Sequence, residues 1–270
     1  MTPQAIQQAA QALIEARRSR RMLDALPESC RPGTPEEGYD IQRAVIAAWG
    51  EPVAGWKSGA TLDAVQQRFG LTEPFLGPFF GSSVMRSPAR AKVGLFEHRV
   101  IPAEGKPGVA LEVEFAFRVA KVLPPKAGGY TREEILEAFD AVIPAFEIIS
   151  PRFHVTPFGT PGSALADCGL NGGMVLGQPV KDWRNIDYAK HTARLVVDGR
   201  TVAEGTGTLV LGNPLNALEW LVNAVGRQGH MLSPGQILTT GSMTGIVYVD
   251  QGAEAVGDFG DLGKVVAVFE

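Results

Sequence analysis

The chain has 270 residues, of which 45% are hydrophobic and 20% charged, and its formal net charge is −4. This composition is that of a globular protein with a sizeable core, and it excludes a largely disordered chain. The basic cluster ARRSRR (16–21) has no aromatic platform or basic stripe beside it, and no apolar run is long enough to span a bilayer. We therefore expect no nucleic-acid binding and no membrane insertion.

The first third of the sequence has the spacing of helices. Apolar residues recur at helical intervals over residues 6–13. The segment TPEE (34–37) has the pattern of a capping box and predicts the start of a second helix. Thr61 is predicted to cap a third helix that ends at Phe69. Between the second and third helices, EPVAGWKSGA (51–60) is too rich in glycine for a helix and is predicted to be a loop.

After about residue 85, short apolar runs separated by Gly and Pro predict strands. Asp198-Gly199 between two such runs is a hairpin signal. Two helices interrupt this region, capped by Thr131 and by Asn213. The runs predicted as strands are ALEVEFAFRVAKVL, NGGMVLG, HTARLVVDG, TGTLVLG, GIVYVD and KVVAVF. We expect an α+β protein with a small helix-rich α/β domain at 1–85 and a β-rich catalytic domain at 86–270.

The cysteines and the N-terminus indicate a location. Cys30 and Cys168 are far apart and have the spacing of neither a disulfide framework nor a metal site. The N-terminus has no apolar segment of the signal-peptide type. Both features are typical of a protein of the reducing cytoplasm.

Two carboxylates lie inside the apolar run ALEVEFAF (110–117). Residues i and i+2 of a strand face the same side, so Glu112 and Glu114 point together while Val113 faces the other way. Close like charges disfavour each other unless a cation lies between them, and carboxylate oxygens suit Mg²⁺ or Mn²⁺. The alternative is an edge strand with its polar face in water, and the spacing alone slightly favours that alternative.

A third carboxylate, Glu147, lies in the middle of the apolar run VIPAFEIISPRF (142–153). A buried carboxylate is costly unless it is paired, hydrogen-bonded or metal-bound, and Arg152 is the alternative partner. Three glutamates in apolar strands favour a metal site. Lys57 in GWKSG can neutralise a carboxylate or polarise a carbonyl, although most lysines in such a segment are solvated surface residues.

Several segments follow one another in the order found in a known family. They are GWKSGATLDAVQQRFGLTEPFLG, LEVEFAF, VIPAFEIISPRF, ADCGLNGGMVLG, LGNPLNALEWLVNAV, ILTTGSMTG and FGDLGKVVAVF. On these motifs nearly the whole chain resembles the 2-keto-4-pentenoate hydratase / 2-oxo-3-hexenedioate (4-oxalocrotonate) decarboxylase family of the fumarylacetoacetate hydrolase superfamily. The resemblance implies a small α/β N-terminal part and a C-terminal mixed β-sandwich roll.

The resemblance also implies a site and an activity. Glu112, Glu114 and Glu147 would be ligands of Mg²⁺ or Mn²⁺, and Lys57 would act in the substrate pocket. The expected activity is that of a lyase on a small 2-oxo (2-hydroxydienoate) acid, and we favour a hydratase over a decarboxylase. Members of the family are typically cytoplasmic homo-oligomers that break down aromatic compounds, and some associate with another enzyme of the pathway.

Further site residues are assigned by the same resemblance. Asp167-Cys168 stands where many members have Asp-Asn, so Asp167 is a candidate catalytic residue, with a structural hydrogen-bonding role as an equal alternative. Ser242 and Thr244 in TGSMTG are candidates to bind the substrate carboxylate, and a tight turn is the alternative. Cys168 is expected to be a small buried residue.

Two other functions stay open. One is a hydrolase that cleaves a carbon–carbon bond of an acylpyruvate, for which His98 beside Glu97 is the candidate activator of water. The other is a catalytically weakened homologue that binds a ligand. It is suggested by Cys168 and by the lack of an acid after Glu73 in EPFLGPFFGSSV, where relatives often carry one.

Overall fold

The computed structural model describes residues 1–92, 108–154 and 160–270. Within these ranges the chain forms six α-helices and thirteen β-strands. The helices are α1 (Pro3–Ser19), α2 (Pro35–Trp49), α3 (Asp63–Phe69), α4 (Arg132–Ala138), α5 (Pro161–Ala166) and α6 (Pro214–Arg227). The strands are β1 (Val53–Gly59), β2 (Phe75–Phe80), β3 (Val84–Arg86), β4 (Ala89–Ala91), β5 (Gly108–Val119), β6 (Phe139–Ile149), β7 (Asn171–Leu176), β8 (Thr192–Val197), β9 (Arg200–Thr206), β10 (Ile237–Ser242), β11 (Val247–Asp250), β12 (Glu254–Asp258) and β13 (Lys264–Phe269).

The strands form two mixed sheets. The larger has the order β2-β1-β10-β5-β6-β7-β3, with β11 pairing with the other end of β5. The smaller has the order β4-β13-β12-β8-β9. The long antiparallel pair β5–β6 lies inside the larger sheet, and β1 pairs with β10 in parallel. The expected α+β class is confirmed, with two mixed sheets and helices that occur both before and between their strands.

The main core lies between the two sheets. Alternate residues of β5, including Val113 and Phe115, are fully buried on one face. The Phe115 ring lies 5.1 Å from the rings of both Tyr188 and Phe259, and Phe259 directly follows β12. Burying one such side chain stabilises a fold by about 1.5–3 kcal/mol. The apolar face of β5 therefore anchors the sheet pair, and its opposite face is available for other chemistry.

The N-terminal helices pack on the larger sheet. Leu13 of α1 and Ile41 of α2 form a second core with Phe80 at the end of β2. The predicted domains 1–85 and 86–270 stay a prediction. Strands from both sides of residue 85 pair with each other, since β1 lies beside β10.

The predicted caps at Thr34, Thr131 and Asn213 and the predicted hairpin are confirmed. The side chain of Thr34 accepts a hydrogen bond from the Glu37 N–H at the start of α2, and Thr131 forms a reciprocal capping box with Glu134 at the start of α4. Asn213 caps α6. The hairpin β8–β9 turns at Asp198-Gly199, where both residues have positive φ (47° and 77°), as the favoured two-residue turn requires.

Three local predictions are wrong. GWKSG is strand β1 rather than a loop, because β2 and β10 provide backbone partners on both sides. Helix α3 begins at Asp63 after Leu62, since the Thr61 carbonyl accepts a hydrogen bond from Leu211. Most of TGTLVLG is not a strand, because β9 ends at Thr206 and a 3₁₀ turn follows. Across the described ranges, no helix has the length and apolar character needed to cross a membrane.

Candidate active site and metal centre

Three glutamates meet on the polar face of the β5–β6 pair. Glu112 lies directly opposite Glu147 in the strand register, and Glu114 is two residues further along the same face of β5. One carboxylate oxygen from each lies within 4.8 Å of the others. Glu114 and Glu147 are fully buried, and Glu112 is half-buried. The edge-strand alternative is therefore wrong, because β5 lies between β10 and β6 inside the sheet.

Each of the two buried carboxylates has a fixed donor. Lys57 Nζ lies 3.2 Å from Glu147 Oε1, and Asn171 Nδ2 donates to the same oxygen at 3.0 Å. The Gly241 N–H donates to Glu114 Oε2 at 3.0 Å. Arg152, the alternative partner for Glu147, instead donates its guanidinium N–H to Ser150.

The Gly241 donor depends on a break in the strand. The pairing of β10 with β5 shifts register between Thr239 and Ser242, and Gly241 within this irregularity has φ +106°. A Cβ at Gly241 would lie 2.7 Å from the Thr61 side chain. Glycine is therefore required both for the backbone conformation and for the space, and this conformation aims the N–H at Glu114.

Burial and mutual repulsion shift the titration of the cluster. Burial, followed by the charge of Glu147, raises the pKa of Glu112 to about 7, while Lys57 and a hydrogen bond from Ser242 act in the other direction. Burial, and then the neighbouring carboxylates, raise the pKa of Glu114 well above its usual value. Burial also raises the pKa of Glu147.

Lys57 keeps its positive charge in this setting. Burial alone would lower the pKa of its ammonium group, but Glu147, Glu112 and Glu114 together outweigh burial and raise that pKa above its usual value. The fully ionised cluster thus carries three negative charges against one positive charge. Glu114 Oε1 and Glu147 Oε2 are buried and have no hydrogen-bond donor among the residues that the structure describes. Hard oxygen donors with unmet charge and open coordination positions fit a divalent cation.

Of the three glutamates, Glu112 lines a cavity of about 410 Å³. Lys57, Glu112, Ser242 and Thr244 all line it. The hydroxyls of Ser242 and Thr244 both donate to the Gly245 carbonyl, at 3.1 and 3.3 Å. The predicted substrate-binding residues therefore reach the cavity, and they also form the tight turn that was the alternative.

Asp167 lies outside this cavity lining. Its buried carboxylate pairs with Arg17 at 2.7 Å and accepts the Arg152 backbone N–H at 2.6 Å. Arg17 also donates to the Asn171 carbonyl. These contacts support the structural alternative, and the catalytic role of Asp167 stays a prediction. Cys168 is fully buried, as expected. His98 and Glu97, the basis of the hydrolase alternative, lie outside the described residues.

Sequence reasoning missed two contributors to the site. Gly241 carries a signal, since an isolated glycine in a strand often marks a bulge. Arg17 carries none, because it belongs to the helical cluster ARRSRR and reaches Asp167 from 150 residues away in sequence.

No protein-family profile matches the chain, but comparisons with individual proteins find relatives and a similar fold. The chain is 30% identical to 2-keto-4-pentenoate hydratase of Paraburkholderia phymatum, covering 98% of this chain and 97% of the relative. It is 31% identical to 2-hydroxyhexa-2,4-dienoate hydratase of Comamonas testosteroni, covering 90% and 89%. Its fold is similar to that of 4-oxalocrotonate decarboxylase from Pseudomonas putida G7, solved with magnesium and adipate, with a TM-score of 0.86, 22% identity and coverage of 100% and 99%. The chain therefore belongs to the 2-keto-4-pentenoate hydratase family.

Proposed function

We propose that this protein is a divalent-metal-dependent lyase that adds water to a small 2-hydroxydienoate, the enol form of a 2-oxo acid. The observation that carries the proposal is the cluster of Glu112, Glu114 and Glu147, which meets the Lys57 ammonium at one end of a cavity. Three relatives of 30% identity or more are hydratases. Their names favour hydration over decarboxylation.

The three glutamates would hold the cation, and Mg²⁺ or Mn²⁺ suits a set of carboxylate oxygens. When bound, such an ion supplies Lewis-acid stabilisation of the negative charge that develops on the substrate's 2-oxygen. Asn171 and the Gly241 N–H orient two of the carboxylates from behind. Orienting groups of this kind fix the ligand positions before substrate arrives.

The substrate would contact the remaining polar groups of the cavity. The Lys57 ammonium lies beside Glu147 on the cavity lining, so it would bind the substrate carboxylate or 2-oxygen. Ser242 and Thr244 present hydroxyls on the same lining and would donate to the carboxylate. We further propose that the protein is a cytoplasmic homo-oligomer of aromatic-compound breakdown that associates with another enzyme of its pathway.

The test is a spectrophotometric assay of 2-hydroxydienoates, 2-oxo-enedioates and acylpyruvates with Mg²⁺, with Mn²⁺ and with EDTA. We expect metal-dependent loss of a dienoate without release of carbon dioxide. Release of carbon dioxide would identify a decarboxylase, and turnover confined to acylpyruvates would identify a hydrolase. Full activity in EDTA would contradict the proposed metal site.

A further inference from the structure

The cavity lining combines polar and apolar residues. Lys57, Ser58, Thr61, Glu112, Ser242 and Thr244 are polar, and we call the part around Lys57 and Glu112 the polar end; a larger apolar group lines the cavity with them. The apolar side chains come from separate parts of the chain, and they include Leu62, Val65, Phe75, Leu170, Leu209 and Ile246. A ligand held at the polar end therefore extends along hydrocarbon side chains.

The apolar lining continues to the protein surface. Leu62, Leu209 and Ile246 are 39%, 36% and 43% exposed, although each is a large hydrophobic residue. All three line this one cavity, from the turn before α3, the 3₁₀ turn after β9 and the turn after β10. Exposed apolar side chains that converge on one opening indicate a binding surface rather than scattered surface hydrophobics.

The cavity provides little compensation for a second negative charge. Of the described residues that line it, Lys57 is the only cation. Lys57 is almost fully buried and already lies 3.2 Å from Glu147. A carboxylate at the far end of a ligand would lose water without gaining a partner among the described lining residues, which is costly.

The volume of the cavity also indicates a ligand with an additional hydrocarbon tail. Its volume of about 410 Å³ falls in the range of about 300–1,000 Å³ that is typical of pockets for drug-sized ligands. A five-carbon acid is much smaller than such ligands. Space thus remains beyond the polar end for additional hydrocarbon.

We propose that this cavity selects 2-oxo acids, and the matching 2-hydroxydienoates, whose tail is uncharged, apolar and long enough to reach Leu62, Leu209 and Ile246. Acids that end in a second carboxylate are rejected. The inference rests on the proposed function only in placing the 2-oxo acid group at the polar end. Leu62, Leu209 and Ile246 are thereby specificity-determining residues.

Binding of acids that cannot react tests the proposal without relying on turnover. The Mg²⁺-loaded protein is titrated calorimetrically with 2-oxopentanoate, 2-oxohexanoate and 2-oxooctanoate, and with the diacids 2-oxohexanedioate and 2-oxooctanedioate. Burial of each further methylene predicts up to about fourfold tighter binding. Each diacid is expected to bind at least about tenfold more weakly than the monoacid of equal length, because its second carboxylate is desolvated without a partner.

A charge introduced at the mouth provides the matched variant. Leu209→Arg supplies a partner for a second carboxylate, so it should reduce or reverse the difference in affinity between each diacid and the monoacid of equal length. Val202→Arg is the control, since Val202 is a 50% exposed hydrophobic residue of β9 that does not line the cavity. Val202→Arg should leave the difference in affinity between diacids and monoacids unchanged.

The outcomes separate this inference from the proposed function. Diacids that bind as tightly as monoacids, or affinity that is independent of tail length, would overturn the inference even if dienoates are hydrated. Tail-dependent binding without turnover of any dienoate would support the inference and remove the hydratase assignment. Failure of every 2-oxo acid to bind in the presence of Mg²⁺ would overturn both.

Discussion

Glu112 and Glu147 lie directly opposite each other on adjacent antiparallel strands, where like charges destabilise a sheet. Glu114 on the same face adds a third carboxylate, and Lys57 is the cation within ion-pair distance of Glu147. The fold therefore contains a local conflict of charge that a divalent cation would relieve. Stability and metal binding should be coupled at this site, and the following predictions use that coupling.

Glu114→Gln should remove metal binding without unfolding the protein. The substitution keeps the shape of the side chain and removes one of three repelling charges. Loss of a group that orients a metal ligand lowers metal affinity by about 10–100-fold. Loss of the ligand itself should lower it further, as measured by Mn²⁺ titration. The melting temperature in EDTA should be unchanged or higher.

Glu133→Gln is the matched control for that experiment, because Glu133 is an exposed glutamate of α4. It should retain the metal affinity of the wild type. Unchanged affinity in Glu114→Gln would show that Glu114 is not a ligand.

The raised pKa values predict a pH dependence. The pKa of Glu112 rises from its usual 4.5 to about 7 on folding, chiefly through burial and then through Glu147. The folded state thus holds its proton more tightly than the unfolded chain does. The contribution of Glu112 to the free energy of unfolding therefore falls as pH rises from about 4.5 to about 7 in the metal-free protein.

A cation competes with these protons, so its stabilising effect should grow with pH over the same window. The measurement is the melting temperature with Mg²⁺ minus that with EDTA, from about pH 5 to about pH 8. The subtraction cancels titrating groups far from the site. An equal difference at both ends of this range would show that the cluster does not bind the ion.

Lys57→Met should cost stability mainly when metal is absent. Removing one partner of a buried ion pair typically costs about 3–5 kcal/mol, because the other charge is left buried. In EDTA the substituted protein should unfold at lower urea concentration than the wild type, and Mg²⁺ should recover part of the loss. Activity should stay low with Mg²⁺ present, since the proposed contact with the substrate is gone.

Lys121→Met is the control for this change, as Lys121 is well exposed and lies 3.9 Å from Glu137. Exposed pairs contribute about 0–1 kcal/mol, so little change is expected. If Lys57→Met loses the same stability with and without Mg²⁺, then the contribution of Lys57 to stability is not coupled to metal binding.

Asp167→Asn distinguishes a structural role from a catalytic one. It leaves the Arg17 guanidinium, which is mostly buried, without its counter-charge, so the free energy of unfolding should fall by about 3–5 kcal/mol. Once folded, the protein should keep nearly the wild-type turnover number. A large drop in turnover at unchanged stability would establish the catalytic role. Arg21→Met, on the exposed end of ARRSRR, should change neither quantity.

The sequence predicts those features that depend on neighbouring residues. The alternation around Val113 places Glu112 and Glu114 on one face, and the Asp198-Gly199 pair specifies its own turn. Features that depend on distant segments of the chain cannot be predicted from local sequence patterns. The glycines around Lys57 are typical of a loop. The segment nevertheless forms strand β1, because it pairs with β2 and β10.

The same limit applies to the groups that support the metal ligands. The side-chain amide of Asn171 donates to Glu147, which lies 24 residues earlier in the sequence on another strand. Arg17 reaches this region only because α1 packs beside the segment that carries Asp167. Such contacts follow from how the elements pack, which local patterns do not specify.

The parallel pairing of β1 with β10 has a consequence for how the protein is made. Gly55 of β1 has Ile237 of β10 as its register partner, so the inner neighbour of β1 is synthesised only after β5 and β6. Sheets with such distant partners fold slowly, because a long loop must close before the contact forms. On the ribosome, β1 and Lys57 must wait without this neighbour while β5 and β6 are already available. Because the Gly241 N–H that donates to Glu114 also lies on β10, the complete site would form only late in folding.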